Sequence, residues 1–486
     1  MADSLEDQSL PQQRVTSEYL PVQNSSQSIW QQEAAELAAW NPTSPIPQEA
    51  DVVIIGAGYA GVATAYHLLK KIDESGGAQK RLSISIFDAR GPCSGATGRN
   101  GGHLRPDLYG RIPTHMARSG VAAGSEIAAF EIANLRAIEK VIEEENIDCD
   151  LKLARVTDVW CNPEAAQRAK ANYDVMVNLN LDYMKDVCFN MGEEAEEISG
   201  VKGARACASY TAGQLSAYKF IVSLLKSMVD AGRVDAHSHT PVTEILPAKE
   251  GGFLVKTPSG TVFARQVVHA SNGYVAGLLP EYSRNIIPCK GVCCHIDVPQ
   301  GAQRPPSLPG SYINRASDHM LSYLISRDNG SIVVGGKASM LTSRREQWYH
   351  NVDDGADIDG AKGFYSDYMQ KTYRGWEESQ AEITKIWTGV MGYSFDTNPH
   401  VGVVPGRPGQ FILAGFNGHG MPVIFLAAQG LAALILSDET LTCHDVGVPR
   451  LFQTSRARIE VAQQYAEEDG DILGTGRAFS QATHSC

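Results

Sequence analysis

The clearest hydrophobic pattern in the chain is the apolar run Val52–Ile55, which leads into the glycine-spaced segment Gly56–Gly61. A short continuous apolar run predicts a buried parallel strand, and the residues from Val62 to Lys71 predict the helix that follows. A second apolar stretch, Leu82–Phe87, ends at Asp88 and predicts the next strand. Strand, glycine turn, helix and strand in this order indicate a dinucleotide-binding βαβ unit.

Each glycine of this first loop has a separate task. Gly56 permits a tight turn, Gly58 lets a pyrophosphate approach the backbone, and Gly61 lets the helix pack closely on the strand. The phosphates would lie against free N–H groups at the positive end of the helix. Asp88 would accept hydrogen bonds from a ribose, although it lies later than the usual ~20 residues, because Asp73–Lys80 adds a surface loop. A glycine turn without a ligand is the alternative for this loop taken alone.

Periodic patterns predict the other elements, and residues 1–28, which are polar, are expected to be loosely ordered. The predicted helices are Trp30–Trp40, Ser125–Glu145, Pro163–Leu179, Tyr210–Gly232 and Val423–Leu436. The predicted strands are Leu151–Trp160, Val242–Leu246, Gly252–Thr257, Thr261–His269, Asn285–Val298 and Ser331–Gly336.

Composition excludes several classes of protein. A chain of 486 residues is too long for one core, so two domains, possibly interleaved, are expected. The net charge of −13 argues against nucleic-acid binding. The longest apolar runs fall far short of the ~20 residues that span a bilayer, so no membrane span is expected. No secretory, peroxisomal or prenylation signal is recognisable, and a cytoplasmic location is therefore expected.

The ten cysteines show neither Cys-x-x-Cys nor zinc-site spacing, so no metal site is expected. Cys289, Cys293 and Cys294 fall on one apolar strand. We interpret them as small buried hydrophobic residues rather than as a redox centre.

Three further glycine-containing segments follow predicted strands or precede a helix. Ala89–His103 is small and polar; it would bring backbone, hydroxyl, amide and guanidinium groups to a ligand, or else be a solvated connector. Ala270–Tyr274 could border a second edge of a dinucleotide. Gly415–Pro422 feeds the N-terminus of a helix, which favours negative charge. If the ligand is a flavin, that end could stabilise the anion that develops at its N1–C2=O edge on reduction.

Together, Gly56–Gly61, Ala96–His103 and Gly415–Gly420 resemble the D-amino-acid oxidase superfamily of FAD-dependent amine oxidoreductases, which includes glycine oxidase and sarcosine oxidase. The run Thr97–Gly102 is most similar to the γ-glutamylputrescine oxidoreductase branch. The resemblance implies an α/β fold, in which a Rossmann-like FAD-binding domain of glutathione-reductase type is interleaved with an α+β substrate domain built on a mostly antiparallel sheet.

Under this resemblance the chain divides into interleaved segments. The expected division is an N-terminal extension over 1–50, an FAD-binding domain over 51–110, 205–280 and 385–445, a substrate domain over 111–204 and 281–384, and a C-terminal tail over 446–486.

The expected cofactor contacts follow the motifs. Gly56, Ala57, Gly58, Ala60, Gly61, Asp88, Ala89 and Arg90 would hold the ADP half; Thr97, Gly98, Arg99, Asn100, Gly101 and Gly102 would lie along the pyrophosphate and isoalloxazine; Val242 would meet the adenine; Asn272 and Gly273 would border the second edge; and Gly415, Asn417, Gly418, His419, Gly420 and Met421 would lie against the flavin pyrimidine edge.

Some relatives attach the flavin through a cysteine in the segment that matches Lys385–Tyr393. That segment holds no cysteine in this chain, so we predict non-covalent FAD.

In this family a neutral amine gives a hydride to flavin N5, and water hydrolyses the resulting imine. We expect substrate contacts from Arg105, Tyr323, Trp387 and Tyr393, and catalytic contributions from His103, Lys290 and His419. Lys290 and Lys337 compete for the role of activating O₂. Oxidase and dehydrogenase activity, with O₂ or another electron acceptor, therefore both stay open.

The leading hypothesis is an FAD-dependent oxidoreductase that acts on the C–N bond of an amine or amino acid. One alternative is FAD-dependent oxidation or oxidative cyclisation of a non-amine metabolite in a biosynthetic pathway. Two others are a non-catalytic redox sensor and an NAD dehydrogenase that shares the first loop.

Overall fold

The structure, a computed structural model, describes residues 11–76, 82–315, 321–336, 344–437 and 439–469, except for the side chains of residues 463–469. Within these residues the strands are β1 Gln13–Arg14, β2 Glu49–Ile55, β3 Ile84–Phe87, β4 His103–Leu104, β5 Lys152–Trp160, β6 Cys188–Met191, β7 Ala206–Gln214, β8 Asp235–His237, β9 Glu244–Pro247, β10 Phe253–Thr257, β11 Gly260–His269, β12 Ile286–Asp297, β13 Ser311–Arg315, β14 Leu321–Ser326, β15 Ile332–Gly336, β16 Glu382–Ser394, β17 His400–Val403 and β18 Gln410–Ala414.

The α-helices over the same residues are α1 Ile29–Glu33, α2 Ala35–Ala39, α3 Tyr59–Glu74, α4 Ile112–Ser119, α5 Val121–Glu144, α6 Pro163–Asn178, α7 Glu193–Ser199, α8 Ala217–Asp230, α9 Ala361–Tyr365, α10 Tyr368–Thr372, α11 Ile424–Leu436 and α12 Arg456–Asp469. None of the described helices is long and apolar enough to cross a bilayer.

The first sheet has the parallel centre that the sequence predicted. Its order is β1-β9-β10-β11-β2-β3-β8, and β18 joins it through β11 with β17 on its outer side. Strands β18, β11, β2, β3 and β8 pair in parallel. Val52, Val53 and Ile54 in β2 have no exposed surface. Burial on both faces explains why this strand is apolar without alternation.

The second sheet has the order β16-β12-β15-β14-β13-β5-β7-β4, with β6 beside β7. In the described part of the chain, each of its pairings except β5 with β13 is antiparallel. The expected α/β fold with a mostly antiparallel second sheet is confirmed. Strands β4, β7 and β16 belong to this sheet, although the expected segments 51–110, 205–280 and 385–445 grouped them with the FAD-binding domain.

Helix α11 is packed between α3 and α5, behind the first sheet. Ala427, Ala428 and Leu431 are fully buried, which agrees with the apolar character of the whole helix. The rings of Tyr66 in α3 and Phe425 in α11 lie 6.0 Å apart. This packing fixes the N-terminal end of α11, which directly follows the glycine-rich loop Gly415–Pro422.

Two local predictions were wrong. The segment predicted as the helix Tyr210–Gly232 is strand through Gln214 and becomes helix only at Ala217, because residues 206–214 pair with β5 while Ser216 caps the helix by accepting a hydrogen bond from the Lys219 N–H at 3.3 Å. Residues 11–28 are not loosely ordered: β1 pairs with β9, and Gln13 bonds Gln410 at 2.7 Å. The free energy gained from these buried contacts offsets the conformational entropy that the polar segment loses when it becomes ordered.

Candidate active site

A cavity of about 960 Å³ is lined by residues of both sheets and of the loops between them. This volume is at the upper end of the ~300–1,000 Å³ usual for ligand pockets. Gly58, Asp88 and Gly418 to Met421 are all among the lining residues. The cavity therefore joins the first glycine-rich loop, Gly56–Gly61, to the loop Gly415–Pro422.

The first loop, between β2 and α3, is shaped by its own glycines and by Asp88. Gly56 has φ +110°, and a Cβ there would lie 2.8 Å from the Ala270 carbonyl oxygen. A Cβ on Gly61 would overlap the Gly56 carbonyl. The Asp88 carboxylate accepts hydrogen bonds from the N–H groups of Ala57 and Arg90, both at 2.8 Å. Burial raises the pKa of Asp88. Asp88 thus holds the loop while its side chain also lines the cavity.

The second loop, Ser94–Gly102, lies against the start of α3. The Tyr59 N–H at the first turn of α3 donates to the Thr97 hydroxyl at 2.9 Å. The Asn100 side chain bridges the loop, donating to the Thr97 carbonyl at 2.7 Å and accepting from the Gly102 N–H at 2.7 Å. These bonds connect the second loop to the first and leave Asn100 and Gly101 on the cavity wall.

Two buried indoles support the second loop from behind. Trp30 in α1 donates to the Asn100 carbonyl at 2.7 Å, and Trp387 in β16 donates to the Arg99 carbonyl at 2.9 Å. Trp387 is fully buried and does not line the cavity, so the structure does not support it as a substrate contact. Its role is to fix the loop.

A buried ion cluster fastens the same loop. Asp354 is fully buried and binds Arg90 through both carboxylate oxygens, at 2.8 and 2.9 Å. The Arg99 Nε lies 3.4 Å from the same carboxylate. Arg99 also donates to the Thr388 carbonyl at 2.9 Å and to the Ser26 hydroxyl at 3.0 Å. The side chains of Arg90 and Arg99 are thus committed to protein partners.

The third loop, Gly415–Pro422, is positioned by the residues around Asn272. The Asn272 carboxamide accepts from the Gly415 N–H at 2.9 Å, and the Asn417 carboxamide accepts from the Ser394 N–H at 2.8 Å. Gly418 has φ +68°, and a Cβ there would lie 2.8 Å from the Tyr393 hydroxyl. The loop therefore runs along the cavity into the N-terminus of α11, where negative charge is stabilised.

The wall contributed by the second sheet holds the predicted substrate and catalytic side chains. His103, Arg105, Lys290, Tyr323 and Tyr393 all line the cavity. His103 Nε2 lies 2.8 Å from the Ser311 hydroxyl, and Lys290 Nζ donates to the Ala356 carbonyl at 2.9 Å. Tyr323 fills the space beside Gly101, where a Cβ would overlap its ring.

Burial determines the charge states on this wall. It lowers the pKa of His103 well below its usual value, so that this ring is neutral near pH 7. It also lowers the pKa of Lys290, an effect opposed by Asp353 and Asp354. Burial raises the pKa of Tyr393 to about 12. The wall thus presents neutral His103 and Tyr393 beside cationic Arg105.

Arg105 brings a guanidinium to the cavity. It donates to the Tyr210 hydroxyl, and Asp158 and Asp107 help to raise its pKa against the effect of burial. No carboxylate of the described residues lies within 4.0 Å of it as an ion-pair partner. A guanidinium in this state is suited to a carboxylate of a ligand.

Helix α5 carries two residues that the sequence reasoning missed. The Glu131 carboxylate lies 2.8 Å from His419 Nε2, and the Asn134 carboxamide accepts from the Leu426 N–H at 2.8 Å in the first turn of α11. Both residues are buried, at 2% and 0% exposed. Their i, i+3 spacing within the apolar face of a predicted amphipathic helix was the signal that could have identified them.

The structure brings most of the predicted site residues to one cavity. The lining includes Gly56, Gly58, Ala60, Asp88, Ala89, Arg90, Thr97, Arg99, Asn100, Gly101, His103, Arg105, Val242, Asn272, Lys290, Tyr323, Tyr393, Asn417, Gly418, His419, Gly420 and Met421. Seven of the predicted residues are not among the lining residues: Ala57, Gly61, Gly98, Gly102, Gly273, Gly415 and Trp387. Lys337 lies outside the described residues.

FAD fits this cavity on the chain's own features. At the start of α3 the Gly58 cap position carries no side chain, and the Tyr59 N–H donates to the Thr97 hydroxyl. Gly58, Tyr59 and Ala60 line the cavity, so a pyrophosphate would lie against this N-terminus and the Thr97 side chain. Asp88 and Val242 would hold the ribose and adenine end. Gly418 to Met421 would hold the other end of the cofactor.

Comparison with known proteins gives an independent result. Residues 51–434 match the DAO family model, described as FAD dependent oxidoreductase. The chain is 22% identical over 401 residues to the probable oxidoreductase OrdL of Rhizobium meliloti (strain 1021), covering 82% of this chain and 86% of that protein. It is 21% identical over 394 residues to the gamma-glutamylputrescine oxidoreductase of Escherichia coli (strain K12), covering 80% and 84%.

The fold also matches solved structures. The crystal structure of glycine oxidase from Geobacillus kaustophilus superposes with a TM-score of 0.66 at 22% identity. The match covers 84% of this chain and 99% of that one. The likeness therefore extends over both sheets.

Proposed function

This chain belongs to the DAO family of FAD-dependent oxidoreductases, and on that premise we propose that it oxidises the C–N bond of an amine or amino acid to an imine. When bound, FAD supplies the acceptor for the hydride, at its N5. The contribution of the protein is to bind the substrate, to orient its C–H bond and to control its protonation. Relatives named for amine and amino-acid substrates support this choice of class.

One observation carries the proposal. The three glycine-rich loops line the same cavity as His103, Arg105, Tyr323 and Tyr393, which lie on strands of the second sheet or directly after one. A substrate in the space that FAD leaves would contact these side chains while facing the cofactor. Its carboxylate, where it has one, would bind Arg105.

The protonation states of the wall favour this chemistry. A hydride leaves the carbon next to nitrogen most easily when the amine is neutral. His103 is neutral near pH 7 because burial lowers its pKa well below the usual range, and it is therefore able to accept a hydrogen bond from an amine. Lys290, whose pKa burial also lowers, lies on the same wall.

The direct test is anaerobic reduction of the bound flavin by a panel of amines, amino acids and polyamines, followed by exposure to air. We expect at least one amine to bleach the oxidised flavin spectrum, with formation of a carbonyl product and of ammonia or a smaller amine. Bleaching by alcohols or other non-amines alone would replace the proposal with oxidation of a non-amine metabolite. Flavin released by acid would agree with non-covalent attachment.

Lys290 provides a test of the electron acceptor. If the enzyme is an oxidase that uses this lysine, Lys290→Met should slow reoxidation of reduced flavin by O₂ by about 10² or more while leaving anaerobic reduction by substrate largely intact. Equal reoxidation rates in the two proteins would remove Lys290 from this role. Slow reoxidation of the unmodified enzyme by air would instead indicate a dehydrogenase.

A further inference from the structure

We propose that His419 and Glu131 form a proton relay, which carries the proton lost by the substrate amine from the active site to solvent through a second, small polar cavity. This inference rests on the proposed amine oxidation. It adds a role for Glu131, a residue outside the three glycine-rich loops, and it gives His419 a defined function.

The pair is held by short contacts between buried groups. The distance between His419 Nε2 and Glu131 Oε2 is 2.8 Å, and the same carboxylate oxygen accepts from the Asp107 N–H at 2.6 Å. Among the described residues, His419 is the basic side chain within ion-pair distance of Glu131. A buried carboxylate is costly without a cation or a proton. The pair is therefore suited to hold and pass on a proton.

The small cavity lies directly behind this pair. Its volume is about 20 Å³, which exceeds the ~10–15 Å³ that one water molecule needs. Its polar lining consists of Asp107, Arg111, His115, Glu131, Thr397, Asn398 and His419. Five residues line both this space and the large cavity, and so form the partition between them: Asp107, Arg111, Thr397, Phe416 and His419. The small cavity is not closed off from solvent, and the Arg111 side chain in its wall is 37% exposed.

Opposing influences act on the pKa of His419, and Glu131 is the group that favours its protonated form. Burial lowers the pKa of His419, with Glu131 opposing this shift and Arg111 adding to it. Burial lowers the pKa of His115 to about 4, so His115 is neutral near pH 7. The titratable and charged groups that act on the pair come from β4, from the segment after it and from α4: His103, Arg105, Asp107, Arg111 and His115.

The reaction requires such an exit. An amine that arrives as R₂CH–NH₃⁺ loses one proton from nitrogen and one hydride from carbon to give R₂C=NH₂⁺. The hydride and its two electrons go to the cofactor. The N–H bond breaks toward His419, and the proton passes through Glu131 and the water-sized space to solvent. Charge and atoms balance with one proton released per imine formed.

The test compares Glu131→Gln with a matched control, Glu139→Gln, on the same helix. Glu139 pairs with Arg136 at the surface, and its side chain is 29% exposed. Both holoenzymes are reduced anaerobically with the amine identified in the panel, at values from about pH 6 to pH 10. Near neutral pH, we expect the rate of flavin reduction in Glu131→Gln to be lower than in the wild type by at least tenfold, and by as much as ~10². The deficit should shrink at high pH, where the amine arrives neutral.

A second measurement is independent of turnover. The visible spectrum of the bound flavin is titrated without substrate from about pH 5 to pH 9. We expect a spectral step in the wild type and in Glu139→Gln, and its loss or displacement in Glu131→Gln. A wild-type step and pH–rate profile in Glu131→Gln would overturn the relay, as would a slowing that is equal at every pH. If Glu131→Gln does not retain FAD, His419→Gln serves for the same comparison.

The two proposals fail differently. If no amine reduces the wild-type flavin, the proposed function fails, and the substrate-free titration still reports on the pair. If amines reduce the flavin and Glu131→Gln behaves like Glu139→Gln, the function stands and the relay is wrong.

Discussion

The first and second loops of the cofactor cavity lie side by side, yet different parts of the chain determine their shapes. The first loop depends on its own glycines and on Asp88, at the end of the adjacent strand. The second loop depends on Trp30, Trp387 and Asp354, which are distant in sequence. A local motif thus specifies the shape of the first loop, whereas long-range contacts specify the shape of the second.

We expect the largest effect from a substitution that disrupts the first loop. In Gly61→Ala the new Cβ would overlap the Gly56 carbonyl and would lie 3.1 Å from Ile54 Cγ2. We expect a loss of about 4 kcal/mol or more in the free energy of unfolding and purification without flavin. Gly363→Ala is the control, because a Cβ there meets no atom within 4 Å. Retention of FAD and of wild-type stability in Gly61→Ala would mean that the loop is not close-packed.

We expect the next largest effect from removing the buried carboxylate that holds the second loop. Asp354→Ala leaves the buried guanidinium groups of Arg90 and Arg99 without their shared carboxylate. We expect a loss of about 3–5 kcal/mol in the free energy of unfolding, measured by urea denaturation of the FAD-free protein, together with weaker FAD binding.

Asp328→Ala is the matched control for Asp354→Ala. Asp328 pairs with Lys152 at 2.9 Å, but its side chain is 84% exposed. Its removal should cost less than about 1 kcal/mol. Equal losses in the two variants would show that burial of the Asp354 cluster contributes nothing.

A smaller effect tests the indole supports. Trp30→Phe and Trp387→Phe keep an aromatic ring but remove the N–H donors to the Asn100 and Arg99 carbonyls. Each should weaken FAD binding roughly tenfold, from a loss of about 1.4 kcal/mol. Trp376→Phe is the control, because the described residues offer its buried Nε1 no hydrogen-bond partner. Fluorescence titration of the apoprotein with FAD measures all three, and unchanged affinity in the first two would separate the indoles from the loop.

The smallest effect concerns the bond between the two loops. Thr97→Val removes the acceptor for the Tyr59 N–H, 2.9 Å away, with little change of shape. We expect a loss of about 1 kcal/mol, which weakens FAD binding several-fold. Thr97→Ser should restore most of the affinity. Wild-type affinity in Thr97→Val would show that this hydrogen bond does not contribute to FAD binding.

The same contrast explains what the sequence could predict. The apolar run of β2, the spacing of Gly56, Gly58 and Gly61, and the strand ending at Asp88 are local signals, and they predicted this part of the fold. The boundary at Gln214 was missed because strand pairing with β5 overrides the helical pattern. The Asp354 cluster and the contact between Glu131 and His419 join residues more than 200 positions apart, which no local pattern encodes.

The predicted substrate wall shows the same limit. His103, Arg105, Tyr323 and Tyr393 reach the cavity, while Trp387 faces the back of the second loop. Trp387 and Tyr393 are six residues apart on β16, an even spacing that puts both side chains on the same face of the strand. They differ because the second loop covers Trp387, whose Nε1 donates to the Arg99 carbonyl. This long-range contact is not encoded in the pattern of the strand.

We propose that the bound flavin is reduced by hydride transfer from the C–H bond next to an amine nitrogen. A single-turnover, anaerobic experiment with one amine and its C–H-deuterated form measures this step directly. We expect slower flavin reduction with the deuterated amine and one carbonyl product per flavin reduced. Flavin reduction that is insensitive to deuteration and that leaves the C–N bond intact would contradict it.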